Sequence, residues 1–357
     1  MTKTYRPGVY SQYDIISQRR SLQDRYAFYC GAAKVREGKS IPAGGVVQIH
    51  SRQELEEYFD AQGGTLFCAV CGILLDSGVS GVYAVPLTID GTAAAENLYE
   101  PAIQKLCEVK RSGVILCDSQ AQTVLQKLVE QVQLASQNER ERLAVGGVAK
   151  AQAQQIAKAL NCERLVLCCQ AGSDGETESS VILTAAALAA MLVGSEPMDN
   201  LHGKVLESLT EVDALEEQEV ESLLGSGVTV LESLDGAVSC IRCVTSRTLT
   251  GGEEDRTFAS VNTVMMIDDI IRSVRERLSD LLRGSTILFS QDSVASQAAV
   301  VLDQKQQEGM VTSLTAPAGG GGPPLAARRW SMCSRTTRRC AWWSWSFIWL
   351  RSLARSI

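Results

Sequence analysis

Val114-Ile115-Leu116-Cys117 is a run of four apolar residues without polar alternation. Such a run is typical of a strand that is buried on both faces of a sheet. Leu165-Val166-Leu167-Cys168-Cys169 repeats the pattern, and between the two runs apolar spacing predicts a helix led by Val124 and another from Ala149 to Leu160. Because buried strands alternate with helices, we predict an α/β fold with a mixed sheet core flanked by helices.

The pattern extends toward the N-terminus. Tyr26–Cys30 and Val46–Ile49 are short apolar runs that predict strands. Ser51 and Glu54 have the spacing of a capping box, so we expect a helix to begin there. The apolar segment from Thr65 to Leu75 fits either a strand or a buried helix.

Toward the C-terminus the pattern is mainly helical. The segment 181–193 is apolar almost all round, which indicates a helix packed against several neighbours. A cap-like pattern at 213–216 predicts a further helix start. Residues 262–283 keep the spacing of one long helix, on whose exposed side we expect Asp268 to pair with Arg272.

Charge divides the chain sharply. The protein has 34 basic and 41 acidic residues, but seven arginines and no acidic residue follow Glu308. Removing those seven leaves 27 basic against 41 acidic residues, a net charge of -14 for residues 1–308. The seven are Arg328, Arg329, Arg335, Arg338, Arg339, Arg351 and Arg355. So acidic a body would repel phosphate, and we expect no nucleic-acid partner.

Targeting and cysteine patterns favour a cytosolic assembly site. The N-terminus lacks a charged and then apolar signal segment, and the apolar run Ala341–Leu350 is too short to span a bilayer. We therefore expect no direct membrane insertion. Twelve cysteines in apolar surroundings, without an export signal, predict free thiols in a reducing compartment.

Two Cys-x-x-Cys pairs formally permit a zinc site. They are Cys68 with Cys71 and Cys240 with Cys243. Each pair lies in an apolar run that reads as a strand, where positions three apart face opposite sides. We therefore predict buried thiols rather than ligands, and expect no metal and no cofactor.

An enzyme is the alternative class of function. Cys117-Asp118-Ser119 lies at a strand end, where α/β enzymes place nucleophiles, so a cytosolic thiol or hydrolytic enzyme remains open. His50 and His202 are the two histidines, and neither lies in a catalytic motif. The turn Gly172–Gly175 could bind phosphate, but its acidic neighbours disfavour this. Neither a Walker phosphate loop nor a helix-opening Gly-x-Gly-x-x-Gly is present. We predict a protein that is not an enzyme.

The first seventeen residues read as an extended arm. Pro7 cannot donate a hydrogen bond, and Gly8 lets the chain turn freely. The residues after them alternate as a strand does, so their backbone groups must pair with a sheet edge in this molecule or another. An ordinary edge strand of the same domain is the alternative. The predicted arm residues are Tyr5, Arg6, Pro7, Gly8, Val9, Tyr10, Tyr13 and Ile15.

The order of these segments resembles the tail sheath proteins of contractile phage tails and phage-tail-like particles, in their compact form. The resemblance spans roughly residues 5–311 and rests on order and spacing. It is carried by Arg6–Tyr10, Val47–Ser51, Leu55–Phe59, Ala185–Leu192, Glu219–Leu231, Ser246–Leu249 and the helix Asn262–Arg283. Thr263-Val264 departs from it, because many relatives have an arginine there.

The resemblance implies a structural role. Sheath subunits stack as rings around an inner tube, and terminal arms add strands to the sheets of neighbouring subunits. Expected partners are other copies of the chain in a helical lattice, the tail tube protein, and baseplate and terminator proteins. Assembly would occur in the host bacterial cytoplasm, and the product would be a virion tail or a bacteriocin-like particle. Another tail component, such as tube or baseplate, is a further alternative.

We divide the chain into four parts. They are an arm (1–17), an N-terminal α/β subdomain (18–90), a main α/β core (91–315) and an aberrant tail (316–357) that we expect to be disordered. All five tryptophans lie in this tail. A basic, aromatic tail that binds membranes or nucleic acid is one interpretation.

A slip of reading frame is the interpretation that we favour for the tail. Tryptophan has one codon, so residues 342–349 can be partly back-translated. With serine as AGC or AGT, the frame one base earlier can encode an aliphatic residue and then Val-Glu-Leu-Glu-Phe-His-Leu. This alternation predicts the strand that the resemblance implies for a C-terminal arm.

Overall fold

The structure is a computed structural model that describes residues 25–61, 63–284, 291–311, 313–315, 329–333 and 340–344. The predicted arm, residues 1–17, and most of the tail after residue 315 lie outside these residues. Two segments dominate the described chain. The body comprises residues 25–260, and the helix pair comprises the two long helices that follow it.

A six-stranded sheet forms the centre of the body. Its strands are β1 (Tyr26–Ala32), β2 (Val47–Ile49), β3 (Gly81–Thr88), β4 (Gly113–Cys117), β5 (Arg142–Gly147) and β6 (Leu165–Cys168). Their order is β2-β3-β1-β4-β5-β6. All neighbours are parallel except β2, which is antiparallel to β3, so the predicted mixed sheet is confirmed. Because β1 pairs with both β3 and β4, one sheet spans the boundary that we predicted between residues 90 and 91.

Helices cover both faces of this sheet, as the unbroken apolar strands predict. They are α1 (Arg52–Tyr58), α2 (Phe67–Asp76), α3 (Tyr99–Glu108), α4 (Gln122–Gln137), α5 (Ala153–Leu160), α6 (Val181–Gly194) and α7 (Glu217–Gly225). Helices α2 and α6 pack in one buried layer with Ala27 and Tyr29 of β1. Helices α3, α4 and α5 pack in the other layer with Phe28 and Cys30.

Local signals explain where several helices begin. The Ser51 hydroxyl accepts a hydrogen bond from the Glu54 amide at 3.1 Å, which confirms the predicted cap of α1. The segment that fitted either a strand or a helix forms α2. The predicted start at 213–216 is wrong by one turn, because Glu216 and Glu219 form the capping box of α7. The Asp213 carboxylate instead accepts a hydrogen bond from the Ala171 amide.

Smaller strands complete the body. They are β7 (Gly172–Ser173), β8 (Lys204–Val205), β9 (Glu211–Val212), β10 (Val230–Leu234), β11 (Ala237–Arg242), β12 (Leu249–Thr250) and β13 (Glu253–Glu254). Strands β10, β11 and β8 form a three-stranded sheet. The buried Gln170 amide, just after β6, links this sheet to the central sheet, since it both donates to and accepts from the Leu231 backbone at 2.8 Å.

The helix pair and three short strands follow the body. They are α8 (Val261–Gly284), α9 (Gln291–Gln307), β14 (Ser313–Thr315), β15 (Arg329–Cys333) and β16 (Cys340–Ser344). Helix α8 confirms the predicted long helix almost to the residue. The two helices share a small apolar cluster that includes Ile270, Val274 and Leu302.

Candidate functional site

The parallel strands present their amino ends along one side of the body, which we call the amino edge. It consists of the residues that precede each parallel strand: Arg25, Ser80, Ser112, Glu141 and Arg164. Helix α8 is attached to this edge by hydrogen bonds between side chains. Both the N-terminal entry of the described chain and the C-terminal helix pair therefore meet at the amino edge.

Two arginine–carboxylate pairs fasten α8 to the amino edge. Arg164 donates two hydrogen bonds of 2.7 Å to Asp268, and Arg275 donates bonds of 2.6 and 3.1 Å to Glu141. Both carboxylates are buried, with side-chain exposures of 7% and 3%. The pairing that we predicted between Asp268 and Arg272 on an exposed face is therefore wrong, because Asp268 faces the body.

Burial shapes the titration of the Arg164–Asp268 pair. Burial raises the pKa of the Asp268 carboxyl, although the Arg164 guanidinium opposes that shift. Burial also acts to lower the pKa of Arg164, but its hydrogen bonds to Asp268 raise it overall. Each partner thus depends on the other for its charge, and removal of one would leave an uncompensated charge in a buried site.

The next carboxylate along α8 faces the other way. Asp269 lies 2.8 Å from the Lys305 ammonium of α9, which also pairs with Glu308 at 3.0 Å. Lys305 is 2% exposed, so this pair is buried between the helices. Two adjacent aspartates therefore connect α8 to the amino edge on one side and to α9 on the other.

A buried arginine organises the turn that leads into β4. The Arg142 guanidinium lies 3.8 Å from the centre of the Phe28 ring, and it donates to the carbonyls of Leu106, Val109 and Arg111. Burial lowers the pKa of Arg142 to about 10, which leaves it charged at neutral pH. Because it satisfies three carbonyls after α3, the Arg142 side chain fixes the amino edge beside α8.

Arg25 fastens the point where the described chain begins. Its guanidinium donates to the carbonyls of Val193 and Ser195 at 2.9 and 2.7 Å, and it pairs with Glu196 at 2.6 Å. Its own carbonyl accepts a hydrogen bond from the Ser80 amide. The described chain therefore begins at a fixed position on the amino edge.

The last described strands offer open backbone edges. Strand β15 pairs with β14 on one side and with β16 on the other, both antiparallel. Within the described part of the chain, β14 and β16 each have one strand neighbour.

Several solved structures share this architecture. The sheath tail protein of Desulfitobacterium hafniense superimposes with a TM-score of 0.70 at 9% identity, over 95% of this chain and 99% of that one. The sheath tail protein of Listeria innocua gives 0.67 at 10% identity, over 90% and 94%. The anti-feeding prophage helical sheath in its contracted state gives 0.61 at 14% identity, over 92% and 89%. The chain has the tail sheath fold.

Sequence comparison alone does not reach this conclusion. No protein-family model matches the chain, and no curated protein matches it either. With identities of 9–14%, the sheath fold here is recognised through its backbone. The fold that the sequence resemblance implied is therefore confirmed by structure, while the predicted arm residues from Tyr5 to Ile15 lie outside the described chain and stay a prediction.

The candidate nucleophile of the enzyme alternative is not activated in this sheath fold. Burial raises the pKa of the Cys117 thiol to about 12, so the thiol is protonated at neutral pH. The neighbouring Asp118 accepts hydrogen bonds from the Ala32 amide at 2.7 Å and from the Tyr99 hydroxyl at 2.5 Å. Asp118 therefore acts as a structural acceptor between β1 and α3.

The two histidines have separate backbone contacts. The Nδ1 atom of His50 lies 3.0 Å from the Ser80 carbonyl oxygen, and that of His202 contacts the carbonyl of Ile241. In the turn Gly172–Gly175, the Asp174 carboxylate accepts bonds from the amides of Glu176 and Thr177. This turn satisfies its own amides, so it matches the solvated turn that we favoured over a phosphate site.

The cysteine pairs lie in the apolar interior, although one of them has a different geometry from the one we expected. Cys68 and Cys71 are on helix α2, not on a strand, while Cys240 is on β11 and Cys243 follows it. All four are free thiols. Across the described residues, no group of three or more His, Cys, Asp or Glu side chains is placed to hold a metal ion. A search of the same residues finds no helix of the length and hydropathy that a membrane span requires.

Proposed function

We propose that this protein is the structural subunit of a contractile tail sheath, which polymerises around an inner tube and contracts to drive it through a target envelope. The observation that carries the proposal is the sheath fold across nearly the whole chain, shared with a helical sheath in its contracted state. The absence of an activated nucleophile at Cys117 agrees with a structural role and offers no support for the enzyme alternative.

The terminal arm would connect the subunits. The described chain begins at Arg25 on the amino edge, the same side on which α8 leads to α9 and the terminal strands. An arm that adds a strand to the open edge of a neighbour gains about 1 kcal/mol for each main-chain hydrogen bond. Several such bonds per subunit, repeated along a lattice, would keep subunits connected while they slide and rotate.

The remaining partners follow from that assembly. The inner surface of a sheath would contact the tail tube protein, and its two ends would contact baseplate and terminator proteins. Assembly would take place in the host bacterial cytoplasm, and the mature location would be a virion tail or a phage-tail-like particle. Energy for contraction would be stored in the extended lattice, so the stroke would consume no nucleotide.

The tail after residue 315 would need its original reading frame. In the frame one base earlier, the segment at 342–349 alternates apolar and polar residues, as a C-terminal arm strand requires. We expect the chain as given to assemble poorly and the repaired chain to assemble well. Resequencing of the gene together with mass spectrometry of the full-length protein tests this, and an intact gene frame with matching protein mass would refute the slip.

Electron microscopy of the repaired chain tests the proposed function. We expect hollow cylinders of stacked rings when the chain is expressed with a tube protein, and no cylinders after deletion of residues 1–17. Val9→Pro, which removes one main-chain donor, should weaken assembly, whereas Val9→Thr keeps that donor and should not. A stable monomer that hydrolyses esters, or cylinders that form equally well without the arm, would contradict the proposal.

A further inference from the structure

A bulge in β11 brings Cys240 and Cys243 to the same side of the chain. In the register with β10, the partners of Cys240 and Arg242 are adjacent residues, so Ile241 is an extra residue on β11. One extra residue shifts the alternation of side chains along a strand. Both cysteines therefore point into one apolar layer, whereas Arg242 between them is exposed. Our expectation from a regular strand, that these two thiols face opposite sides, is wrong.

The two thiols are in contact inside that layer. The Cys240 thiol is hydrogen-bonded to the Cys243 sulfur, and this bond together with burial raises the pKa of the Cys240 thiol. Both thiols are free, and their residues are 0% and 5% exposed. Sulfur atoms at hydrogen-bond distance need to approach by no more than about 2 Å to reach the length of a disulfide bond.

Contacts from other segments hold the backbone on both sides of Cys243. Before it, the Nδ1 atom of His202 contacts the carbonyl of Ile241, the extra residue of the bulge. After it, the buried Thr229 hydroxyl accepts a hydrogen bond from the Val244 amide at 3.0 Å and donates one to the Val244 carbonyl at 3.1 Å. The fold therefore keeps the two sulfur atoms together before any reaction occurs.

Cys168 on β6 is the competing neighbour of this pair. Its thiol interacts electrostatically with Cys243. It donates, however, to the carbonyl oxygens of Gly146 and Val181 at 3.8 Å, which belong to the central sheet and to α6. Because Cys240 is hydrogen-bonded directly to the Cys243 sulfur, Cys240 is the better-placed partner.

We propose that Cys240 and Cys243 form a redox site, at which a peroxide converts the two thiols to a disulfide. The more exposed sulfur, that of Cys243, takes one oxygen from the peroxide and becomes a sulfenic acid, with release of one water. The Cys240 sulfur then attacks it, so that the S–S bond forms and the S–O bond breaks. The hydroxyl group leaves with the Cys240 proton as a second water.

This reaction is balanced. The two thiols lose two electrons and two protons, and one hydrogen peroxide is reduced to two waters. In a reducing cytosol the pair would stay as thiols, and in oxidising surroundings it would form the disulfide. The chemistry takes place within one subunit, so its test is separate from any test of sheath assembly.

Peptide mapping of the full-length protein after treatment with hydrogen peroxide tests the proposal. The treated protein is denatured, its remaining thiols are alkylated, and trypsin then cuts between the two cysteines to give peptides 205–242 and 243–247. Each peptide contains one cysteine, so the disulfide joins them into one species that mass spectrometry identifies. We expect at least about tenfold more of this species than of any other joined pair, because groups that are already in contact react at high effective molarity.

Histidine variants test whether the bulge positions the thiols. His202→Ala removes the contact with the Ile241 carbonyl and should lower the rate of joining about threefold. His202→Asn keeps a side-chain donor and should restore most of that rate. His50→Ala is the matched control, because it removes a histidine contact with the Ser80 carbonyl elsewhere in the body and should leave the rate unchanged.

Cysteine variants identify the reacting pair. Cys243→Ser should abolish the joined species and leave Cys240 as an alkylated thiol, whereas Cys168→Ser should not change the yield. Three results in the wild-type protein would overturn the proposal. They are oxidation of Cys243 beyond the sulfenic acid without joining, joining of peptide 243–247 to the peptide that contains Cys168, and an equal yield when peroxide is added to the protein already unfolded in urea.

Discussion

The body and the helix pair are stabilised by different forces. In the body, two continuous apolar layers enclose the sheet, and most strand residues of β1 and β4 are fully buried. The helix pair has a much smaller apolar cluster of its own. Its first turn packs on the body through Val261 and Val264, and beyond that point buried ion pairs and a cleft replace apolar contact.

This difference suits the two parts of the proposed sheath subunit to different tasks. An apolar core transmits force as one rigid unit, because close-packed side chains leave little room to rearrange. Paired charges depend on geometry, and each partner is costly to bury alone. In the proposed sheath, we therefore expect the body to move as a block during contraction, while the connection to the helix pair and the terminal strands responds to small changes.

Breaking one buried ion pair should have the largest effect. Asp268→Ala leaves the Arg164 guanidinium buried without its carboxylate, and we expect a loss of about 3–5 kcal/mol in the free energy of unfolding. The loss should concentrate in the helix pair, so circular dichroism during urea denaturation should show a separate early transition. Asp303→Ala, at an exposed position on α9, should change stability by less than about 0.5 kcal/mol.

A double variant separates the loss of the ion pair from the cost of leaving one charge unpaired. Replacing both partners with leucine, Arg164→Leu with Asp268→Leu, removes the charges together and should recover much of the loss. A double variant as unstable as Asp268→Ala would show that the helix needs the charges themselves. A single transition in every variant would show that body and helix pair unfold as one unit. That result would contradict the separate stabilisation of the two parts.

A cavity in the body should lower the main transition instead. Leu116 on β4 is fully buried, and Leu116→Ala should cost about 2–5 kcal/mol through lost burial and an unfilled cavity. The midpoint of the main urea transition should fall, and an early transition of the helix pair should not appear. Leu134→Ala is the matched control, since that leucine is half exposed on α4, and its effect should be much smaller.

The sequence predicted the elements of the body and α8 better than the long-range contacts between them, for a physical reason. Apolar runs such as Val114–Cys117 and 181–193 report burial locally, so β4 and α6 could be located without knowledge of their neighbours. The pairing of Asp268 with Arg164 joins residues 104 positions apart, and nothing near Asp268 indicates it. Local spacing instead favoured Arg272, which is one helical turn away.

Local sequence patterns were equally limited in predicting the candidate site. Helix and strand compete for short apolar segments, so the apolar run that contains Cys68 and Cys71 fits either one from sequence alone. The helix that forms there satisfies the same burial with a different period. Arg25 and the cleft could not be predicted at all, because they depend on how the end of α6 approaches the amino edge.

A titration tests how burial acts on the structural acid Asp118 in the body. Burial raises the pKa of the Asp118 carboxyl, so the folded protein holds that proton more tightly than the unfolded chain does. Its stabilising contribution is complete below the unfolded pKa of about 3.9 and is lost as pH rises through the folded pKa. Asp118→Asn does not titrate, so its stability relative to wild type should rise with pH over this interval and then level off.

Urea denaturation at a series of pH values measures that difference. A falling difference for Asp118→Asn would mean that the hydrogen bonds from Ala32 and Tyr99 outweigh burial. In that case the folded pKa would be depressed rather than raised, and Asp118 would stabilise the carboxyl ends of the strands as a carboxylate.

The smallest effect should occur at the rim of the body. Ser51 caps α1 at an exposed position, and Ser51→Ala should cost about 0.5–1 kcal/mol because the Glu54 amide loses its acceptor. Ser51→Asp restores an acceptor at the same position and should return stability to near the wild-type value. If Ser51→Ala instead costs as much as Leu116→Ala, α1 is coupled to the interior, and the rim belongs to the same cooperative unit as the apolar layers.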